Sequence, residues 1–285
     1  MTQARTVFLL LAFLVPTALM SFNVLYKLGE TQIASWDESR QIVSAHETVK
    51  NNEWIVNTYL TARDYWNTKP FLGHLAFALS YMALGRDLFA LRLPSALFTI
   101  IHVLVIVYIT RILTRNTLAA MLAGLCYASL WLVIGVHTGR SADFDALNNL
   151  LYSLGALVLL YRPDTVAPYK KLVYFTLILS LAFLNKSFAA APYVFMLLPY
   201  LIYRSDVFEK PQITKLTTYL PLSIVPVLLW AILRYSQDGL NFFEDMYRMG
   251  FQYRMAKEQF HSGTYFYYIK HLHKLGGSFI KLIII

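Results

Sequence analysis

Long apolar runs separated by short polar turns dominate the chain. The first run covers residues 7–26 and follows Arg5. A helix of about 20 apolar residues is long enough to cross the hydrocarbon core of a bilayer. Seven runs are predicted as spans, at about 7–26, 93–110, 118–136, 146–161, 172–184, 188–203 and 216–233. The pattern therefore predicts an all-α, polytopic membrane protein with about seven transmembrane helices.

A further apolar run at residues 71–85 affects the sidedness of everything that follows it. The run has about 15 residues and contains His74. Cytoplasmic loops are enriched in Lys and Arg, and several loops after residue 110 are basic. If 71–85 does not cross the membrane, these loops lie in the cytoplasm, on the same side as the N-terminus. If 71–85 crosses, they lie outside. The charge pattern therefore predicts that residues 71–85 form a juxtamembrane or half-inserted helix that does not cross.

Segments 27–92 and 234–285 are then extracytoplasmic, and residues 1–285 form a single membrane domain. The first segment contains an amphipathic stretch. Four of its side chains share one helical face, namely Ile42, Val43, His46 and Val49. The second segment contains His261 and stops as a new apolar run begins. His261 is predicted to be structural or to extend to the headgroups rather than to be catalytic. The chain is therefore expected to be either a short protein or the front part of a longer one.

Composition supports the membrane assignment. The chain is 57% apolar and 14% charged, whereas a soluble domain carries about 25% charged residues. Lys and Arg exceed Asp and Glu by 25 − 16 = 9. Basic loops explain this excess, so no nucleic-acid partner is predicted. The single cysteine, Cys126, lies in an apolar run, which excludes a disulfide framework and a thiolate metal site.

Asp37 and Glu38 are the first candidate catalytic residues. They follow the first span by about ten residues and begin the amphipathic stretch. Acidic residues also favour the first turn of a helix because they complement its dipole, so a structural role is an alternative. In the functional interpretation, one carboxylate acts as a general base at the membrane surface.

Basic residues at span ends are candidate phosphate ligands. Lys69 precedes Pro70 at the end of the first loop and either extends to the lipid headgroups or binds a lipid phosphate. Lys186 lies in a turn with no acidic neighbour in sequence, so a phosphate is a natural partner for its ammonium group. Arg92 is expected to lie at the start of the next helix, with a phosphate contact as the alternative. His102 is expected to be a packed polar residue.

The turn at residues 137–145 combines Arg140 with Asp143 and Asp145. Asp145 has a structural alternative as a helix N-cap. An Asp-x-Asp pair can also hold a divalent cation such as Mg or Mn through oxygen ligands, or bind sugar hydroxyls. Arg140 is a further candidate ligand for a donor phosphate. The sequence contains no Gly-rich phosphate loop, no zinc-spaced His or Cys set and no nucleophile–base triad.

Taken in order, these motifs resemble the integral-membrane C-type glycosyltransferases, whose fold is termed GT-C. The segments WDESRQI and ARDYWNTKPFLGHL are similar to the first loop of bacterial aminoarabinose transferases and protein O-mannosyltransferases. The resemblance covers about residues 1–270. It implies an enzyme of the bacterial plasma membrane that moves a sugar from a polyprenyl-phosphate donor to a lipid, glycan or protein acceptor on the extracytoplasmic face.

The resemblance also implies roles for individual residues. Asp37 matches the catalytic carboxylate of the first loop, Arg40 and Lys69 match basic positions at the donor site, and Lys186 matches a later turn that contacts the carrier phosphate. The Asp143 and Asp145 turn is similar to one that contributes to a metal site in oligosaccharyltransferases. Aminoarabinose transferases carry an acidic residue where Thr68 stands here, and these families are much longer.

Two other functions remain open. A transporter or flippase of lipid-linked sugars would share the basic residues and the aromatic loop, although transporters often bind substrate near the bilayer midplane. An inactive, truncated paralogue would bind the carrier lipid without transferring the sugar. The charged residues lie at span ends, which favours chemistry at the membrane surface.

Overall fold

The computed structural model describes residues 3–33, 35–135, 137–161 and 165–252. Its α-helices are α1 Gln3–Leu25, α2 Trp36–Asn51, α3 Leu72–Leu84, α4 Leu88–Thr114, α5 Thr117–Ser129, α6 Trp131–Ile134, α7 Asp145–Leu160, α8 Pro168–Lys186, α9 Leu197–Tyr203, α10 Lys210–Asp238 and α11 Asn241–Tyr247. The strands are β1 Thr58–Tyr59 and β2 Ala62–Arg63. Two 3₁₀ segments, Ser187–Met196 and Ser205–Phe208, and a π-helical turn, Arg248–Gln252, complete the described elements.

Four helical stretches are long and apolar enough to cross a membrane. They are Gln3–Leu25, Leu88–Thr114, Pro168–Tyr203 and Lys210–Asp238. The predicted spans 7–26, 93–110 and 216–233 coincide with α1, α4 and α10. The helical, membrane-spanning character predicted from the sequence is therefore confirmed, whereas the count of seven crossings stays a prediction.

The remaining predicted spans correspond to shorter elements. The run at 118–136 becomes α5 and α6, which are separated at Leu130, and the run at 146–161 becomes α7. The predicted turn between 172–184 and 188–203 lies at Ser187, whose φ is 44°. The chain reverses direction at this turn. The evidence is that Lys171, near the start of α8, has its Nζ 6.0 Å from the ring of Tyr200 on α9.

Helices α1, α4 and α5 pack closely at Gly124. A Cβ on Gly124 would lie 2.4 Å from a side-chain atom of Val107 and 2.9 Å from one of Pro16. The missing side chain therefore allows α5 to contact both neighbours. Nearby, the ring nitrogens of His102 on α4 form hydrogen bonds with the hydroxyl groups of Tyr127 on α5 and Ser153 on α7, each at 2.5 Å. The prediction that His102 is a packed polar residue is confirmed.

Helix α2 begins where the acidic pair predicts, but its buried face differs from the expected one. Ile42 and Val49 are only partly buried against the core, and the fully buried side chains of α2 are mostly polar or charged. These are Glu38, Arg40, Gln41, Ser44, Ala45, Glu47 and Thr48. The polar residues lie inside because α4 and the loop after α2 supply ion-pair and hydrogen-bond partners for many of them.

A short hairpin follows α2 and was not predicted. Strands β1 and β2 pair antiparallel through a two-residue turn, Leu60 and Thr61, both with positive φ, 54° and 68°. Turns of this type favour Asn and Gly. Here the backbone N–H of Thr61 donates to Glu47 Oε1 at 2.9 Å, which helps hold the turn against α2.

Two other predicted segments have different outcomes. Helix α3 has 13 residues and is about 20 Å long at 1.5 Å per residue, so it is too short to cross a hydrocarbon core of about 30 Å alone. The predicted outer segment 234–285 is described only as far as residue 252. The rest, including His261, lies outside the described residues.

Candidate active site

Asp37 lies in the first turn of α2, where Ser35 caps the helix by accepting a hydrogen bond from the Glu38 backbone N–H at 3.0 Å. Its side chain is 39% exposed. One carboxylate oxygen is 3.9 Å from Lys69 Nζ, and the other is 3.8 Å from His137 Nδ1. Within the described part of the chain, no hydrogen bond engages this carboxylate. Asp37 is therefore free to accept one from a ligand.

Lys69 approaches Asp37 from the end of the loop that precedes Pro70. Its Nζ lies 5.2 Å from the ring centre of Phe144. Burial lowers the pKa of the Lys69 ammonium below its usual value, and the charges of Asp37 and Asp143 oppose this shift. The result is a poorly hydrated cation beside an exposed carboxylate, which suits it to bind an anion.

The turn before α7 supplies the other side of the site. His137 Nδ1 is 2.6 Å from Asp143 Oδ2. This hydrogen bond raises the pKa of His137, burial opposes the shift, and the charges of Asp143, Asp37 and Asp145 add to it. Lys186, at the end of α8, donates a hydrogen bond to Asp145 Oδ1. The turn therefore carries two carboxylates, each next to a cationic or protonatable group.

Six side chains from four parts of the chain thus meet at one end of the helices. We call them the open cluster, and they are Asp37, Lys69, His137, Asp143, Asp145 and Lys186. Five of the six were predicted site residues, and they come from α2, the loop before α3, the turn before α7 and the end of α8.

Glu38 has a different environment from Asp37. Glu38 and Arg92 form a buried ion pair, with side chains 2% and 1% exposed and Nε to Oε1 at 2.7 Å. The backbone N–H of Ala142 also donates to Glu38 Oε1 at 3.0 Å. Arg92 in turn donates to the carbonyl oxygens of Leu28 and Thr31, both at 2.9 Å. Glu38 therefore joins α2, α4 and the turn before α7.

Arg40 also has an internal partner. Both ends of its guanidinium contact the buried carboxylate of Asp64, with Nε to Oδ2 at 2.7 Å. Three aromatic rings surround it, with ring centres at 4.3 Å for Tyr59, 5.1 Å for Trp36 and 5.2 Å for Trp66. We call Glu38–Arg92 and Arg40–Asp64 the scaffold pairs, because each joins two segments around the open cluster.

Arg140 faces the end of α1. Its Nη1 donates to the carbonyl oxygens of Asn23 at 2.7 Å and Tyr26 at 2.8 Å. The last carbonyls of a helix lack partners within the helix, and Arg140 satisfies some of them. The hydrogen bonds of Arg140 therefore go to the end of α1, whereas the sequence predicted that it binds the donor phosphate together with Lys69 and Lys186.

Asn67 holds the loop that carries Lys69. Its backbone N–H donates to Asp64 Oδ1 at 3.0 Å, and its side-chain nitrogen is 3.2 Å from Gln41 Oε1 and 3.3 Å from His74 Nε2. These contacts connect the loop to both α2 and α3, and they restrict where Lys69 can lie.

Comparison with known proteins assigns the chain to a family. Residues 68–230 match the family described as dolichyl-phosphate-mannose-protein mannosyltransferase. The chain belongs to this family. The matched range includes Lys69, the turn before α7 and Lys186, so three of the four parts that form the open cluster lie within the family's shared region.

Curated relatives include two enzymes named undecaprenyl phosphate-alpha-4-amino-4-deoxy-L-arabinose arabinosyl transferase. The one from Aeromonas salmonicida is 32% identical over 74% of this chain and 39% of its own length. The second, numbered transferase 2, from Pseudomonas fluorescens, is 26% identical over 84% of this chain and 42% of its own length. The chain therefore spans about two fifths of the length of these relatives.

A solved structure has a similar fold. The crystal structure of ArnT from Cupriavidus metallidurans in the apo state aligns with a TM-score of 0.69 and 18% sequence identity. The alignment covers 96% of this chain and 49% of that chain. The helical membrane fold expected from the resemblance to these glycosyltransferases is thereby confirmed.

Three groups of the open cluster have a geometry that fits a divalent cation. One ligand atom from each of Asp37, His137 and Asp143 lies within 4.8 Å of the others. Two carboxylates and an imidazole suit a cation such as Mn or Zn. A cation held there would supply Lewis-acid assistance to phosphate oxygens. Of the predicted metal pair, Asp143 belongs to this group. Asp145 does not, and it accepts a hydrogen bond from Lys186.

Sequence reasoning missed several residues that position the site. The sequence analysis assigned no role to His137, although it lies in the turn that drew attention to Asp143. His74 was noted only as a polar residue in an apolar run. Asp64 and Asn67 had no distinguishing signal, because single polar residues in an aromatic loop are common and their partners are distant in sequence.

Proposed function

We propose that this chain is part of a glycosyltransferase that moves a sugar from a polyprenyl-phosphate donor to a lipid, glycan or protein acceptor. One observation carries the proposal. The exposed carboxylate of Asp37, which has no hydrogen-bond partner in the described part of the chain, lies between Lys69 and His137 at just under 4 Å from each. The names of the curated relatives support an undecaprenyl-phosphate carrier.

Asp37 acts as the general base in this proposal. It accepts the proton of the acceptor hydroxyl as the acceptor oxygen bonds to the anomeric carbon. The bond between that carbon and the phosphate oxygen breaks, and its electron pair leaves with the polyprenyl phosphate. Because Asp37 takes a proton and forms no bond to the sugar, the proposal implies direct displacement with inversion at the anomeric carbon.

Lys69 and Lys186 stabilise the departing phosphate. Negative charge grows on the phosphate oxygens as the bond breaks, and cations placed beforehand at that position lower the barrier. Lys69 is already poorly hydrated. The ammonium group of Lys186 donates a hydrogen bond to Asp145. We propose that it also contacts the donor phosphate when the donor binds, at the expense of part of its interaction with Asp145.

The proposed topology places the open cluster on the extracytoplasmic face of the plasma membrane and the N-terminus in the cytoplasm. The helix ends far from the cluster are basic, as expected for the cytoplasmic side. Basic residues at these ends are Arg5, Arg111, Arg115, Lys170, Lys171, Arg204, Lys210 and Lys215. In this arrangement α5 with α6, α7, and the two halves of Pro168–Tyr203 complete seven crossings.

The test is transfer from radiolabelled polyprenyl-phosphate sugars to membrane acceptors by wild type and Asp37→Asn. Glu53→Gln is the matched control, because it neutralises an exposed carboxylate in the same predicted outer segment, 27–92. We expect Asp37→Asn to lower transfer by about 10²–10⁴-fold, the usual contribution of a general base, and Glu53→Gln to leave it unchanged. Repeating the assay with EDTA tests for a metal at Asp37, His137 and Asp143.

Three outcomes would contradict the proposal. Full transfer by correctly inserted Asp37→Asn would remove the role of this carboxylate. Binding of the donor without transfer to any acceptor would favour a carrier-binding protein, and movement of labelled donor across proteoliposomes without sugar transfer would favour a flippase.

A further inference from the structure

At the end of the bundle far from the open cluster, the first turn of α8 packs against the third turn of α10. Tyr169 near the start of α8 stacks on Tyr219 of α10 with ring centres 5.9 Å apart. Phe183 near the end of α8 meets Trp230 of α10 at 6.3 Å. The two helices therefore run parallel. Because α8 has 19 residues, Tyr169 lies about 25 Å along the helix from Lys186.

A cavity of about 210 Å³ lies between the first two turns of α8 and the part of α10 around Tyr219. Its lining residues are Tyr169, Lys170, Val173, Tyr174, Tyr219 and Leu222. Lys215 stands at the same opening, with its Nζ 5.4 Å from the ring centre of Tyr169. From Lys215 to Leu222 is a rise of about 10 Å along α10. The lining therefore changes over that distance from cationic, through phenolic, to aliphatic.

The two lysines at the opening have no acidic partner among the residues that the structure describes. Lys170 and Lys215 are exposed, and neither forms a salt bridge within the described residues. Lys171 differs, because its buried ammonium donates to the carbonyl oxygens of Val158 and Leu159 at the end of α7. Lys170 and Lys215 are thus available to an external anion.

Within the described residues, little of the chain covers the wall formed by α10. Only 11% of its most apolar stretch is buried against them, and Leu222 is 63% exposed. On this part of the chain, a membrane lipid can therefore enter the cavity sideways without any rearrangement of the helices. The order of charged, phenolic and aliphatic groups matches the order of phosphate, glycerol and acyl chain in a phospholipid.

We propose that this cavity binds an anionic phospholipid of the adjacent leaflet. The phosphate lies between Lys170 and Lys215, the glycerol region lies against the tyrosine hydroxyls, and an acyl chain follows Val173 and Leu222. Interfacial lysines attract anionic lipids by about fivefold each, so the pair favours an anionic over a zwitterionic lipid by about 25-fold. The site is separate from the open cluster, and the proposal does not depend on the transferase activity.

The test is native mass spectrometry of the full chain in detergent, titrated with phosphatidylglycerol or with phosphatidylcholine of the same acyl chains. Lys170→Gln/Lys215→Gln is compared with Lys50→Gln/Lys210→Gln, which removes the same charge from two exposed lysines outside the cavity. We expect wild type and the control to retain phosphatidylglycerol at least tenfold more tightly than phosphatidylcholine. We expect the cavity variant to lose that preference.

Three results would overturn the proposal. One is equal affinity of wild type for the two lipids. Another is an equal loss of phosphatidylglycerol in both double variants, which would indicate general surface attraction. The third is displacement of phosphatidylglycerol by soluble glycerol phosphate at equal concentration, which would assign the lysines to a soluble phosphate ester. The replaced lysines are exposed, so an unchanged unfolding temperature is expected and serves as the folding control.

Discussion

Asp37 and Glu38 are neighbours in the sequence, yet they belong to two regions with opposite properties. Consecutive residues of a helix point about 100° apart, so Asp37 faces the open cluster while Glu38 faces α4. The Asp37 side chain is 39% exposed and engages no hydrogen bond within the described residues, whereas Glu38 is 2% exposed and paired with Arg92. From this difference we propose that the open cluster carries the chemistry, while the scaffold pairs hold its parts in place.

The largest effect on stability is expected from breaking a scaffold pair. Glu38→Gln removes the charge that compensates buried Arg92, and leaving one partner of a buried pair unpaired costs about 3–5 kcal/mol of unfolding free energy. Denaturant unfolding in detergent measures the loss. Asp37→Asn is the control, with an expected change within about 0.5 kcal/mol. An equally stable Glu38→Gln protein would show that this pair does not hold the fold together.

The same contrast explains what could be predicted from the sequence. Asp37 and Lys69 were identified because charged side chains next to membrane spans are energetically costly and therefore often functional. The structure brings the two residues together. Glu38 and Arg40 carried the same local signal, but their partners Arg92 and Asp64 are 54 and 24 residues away. Only the folded chain reveals such partners, so pattern alone could not separate exposed charges from buried ones.

The fold was predicted best where an apolar run is long. The predicted span 93–110 lies within α4, and 7–26 extends only one residue beyond the end of α1, because length and hydropathy suffice to predict such helices. The buried face of α2 could not be predicted, since Gln41 and Ser44 are inside while Val43 is only partly buried. An amphipathic pattern predicts burial only when the neighbouring surface is apolar, and here Arg92 and Asn67 supply polar partners for Glu38 and Gln41.

Lys186 should matter to turnover more than to stability. Lys186→Gln removes one cation from the proposed phosphate site, and we expect transfer to fall by about 10²–10³-fold, as for loss of one electrostatic stabiliser. Its partner Asp145 is partly exposed, with 32% of the side chain accessible, so the unfolding temperature should change little. Lys50→Gln on the exposed side of α2 is the control. Comparable losses of activity in both variants would contradict a specific role.

The lowered pKa of Lys69 predicts the high-pH limit of activity. Burial lowers this pKa below 10.5, so the ammonium loses its proton, and transfer declines, at a pH below that value. An arginine stays protonated throughout this range. In Lys69→Arg the decline should therefore move to higher pH, even if the maximal rate is reduced. A pH–rate profile measures the shift, and an unmoved limit would show that another group controls it.

His137 should produce the smallest effect, a pH-dependent change in stability. Its pKa is raised above 6.5 by the hydrogen bond to Asp143. A raised pKa in the folded state contributes stability that is complete below the unfolded pKa and is lost as pH rises through the folded value. With chelator present, the unfolding temperature of wild type should exceed that of His137→Gln at low pH, and the gap should narrow at high pH. A gap that is constant or widens with pH would contradict this assignment.

The most direct test of the contrast is a side-by-side measurement on Asp37→Asn and Glu38→Gln. Transfer per folded molecule and unfolding free energy are measured for both in the same membranes and detergent. The account predicts that Asp37→Asn loses transfer but keeps wild-type stability. It predicts that Glu38→Gln loses stability and keeps far more transfer per folded molecule than Asp37→Asn. Active Asp37→Asn alongside folded but inactive Glu38→Gln would reverse the assigned roles and contradict the account.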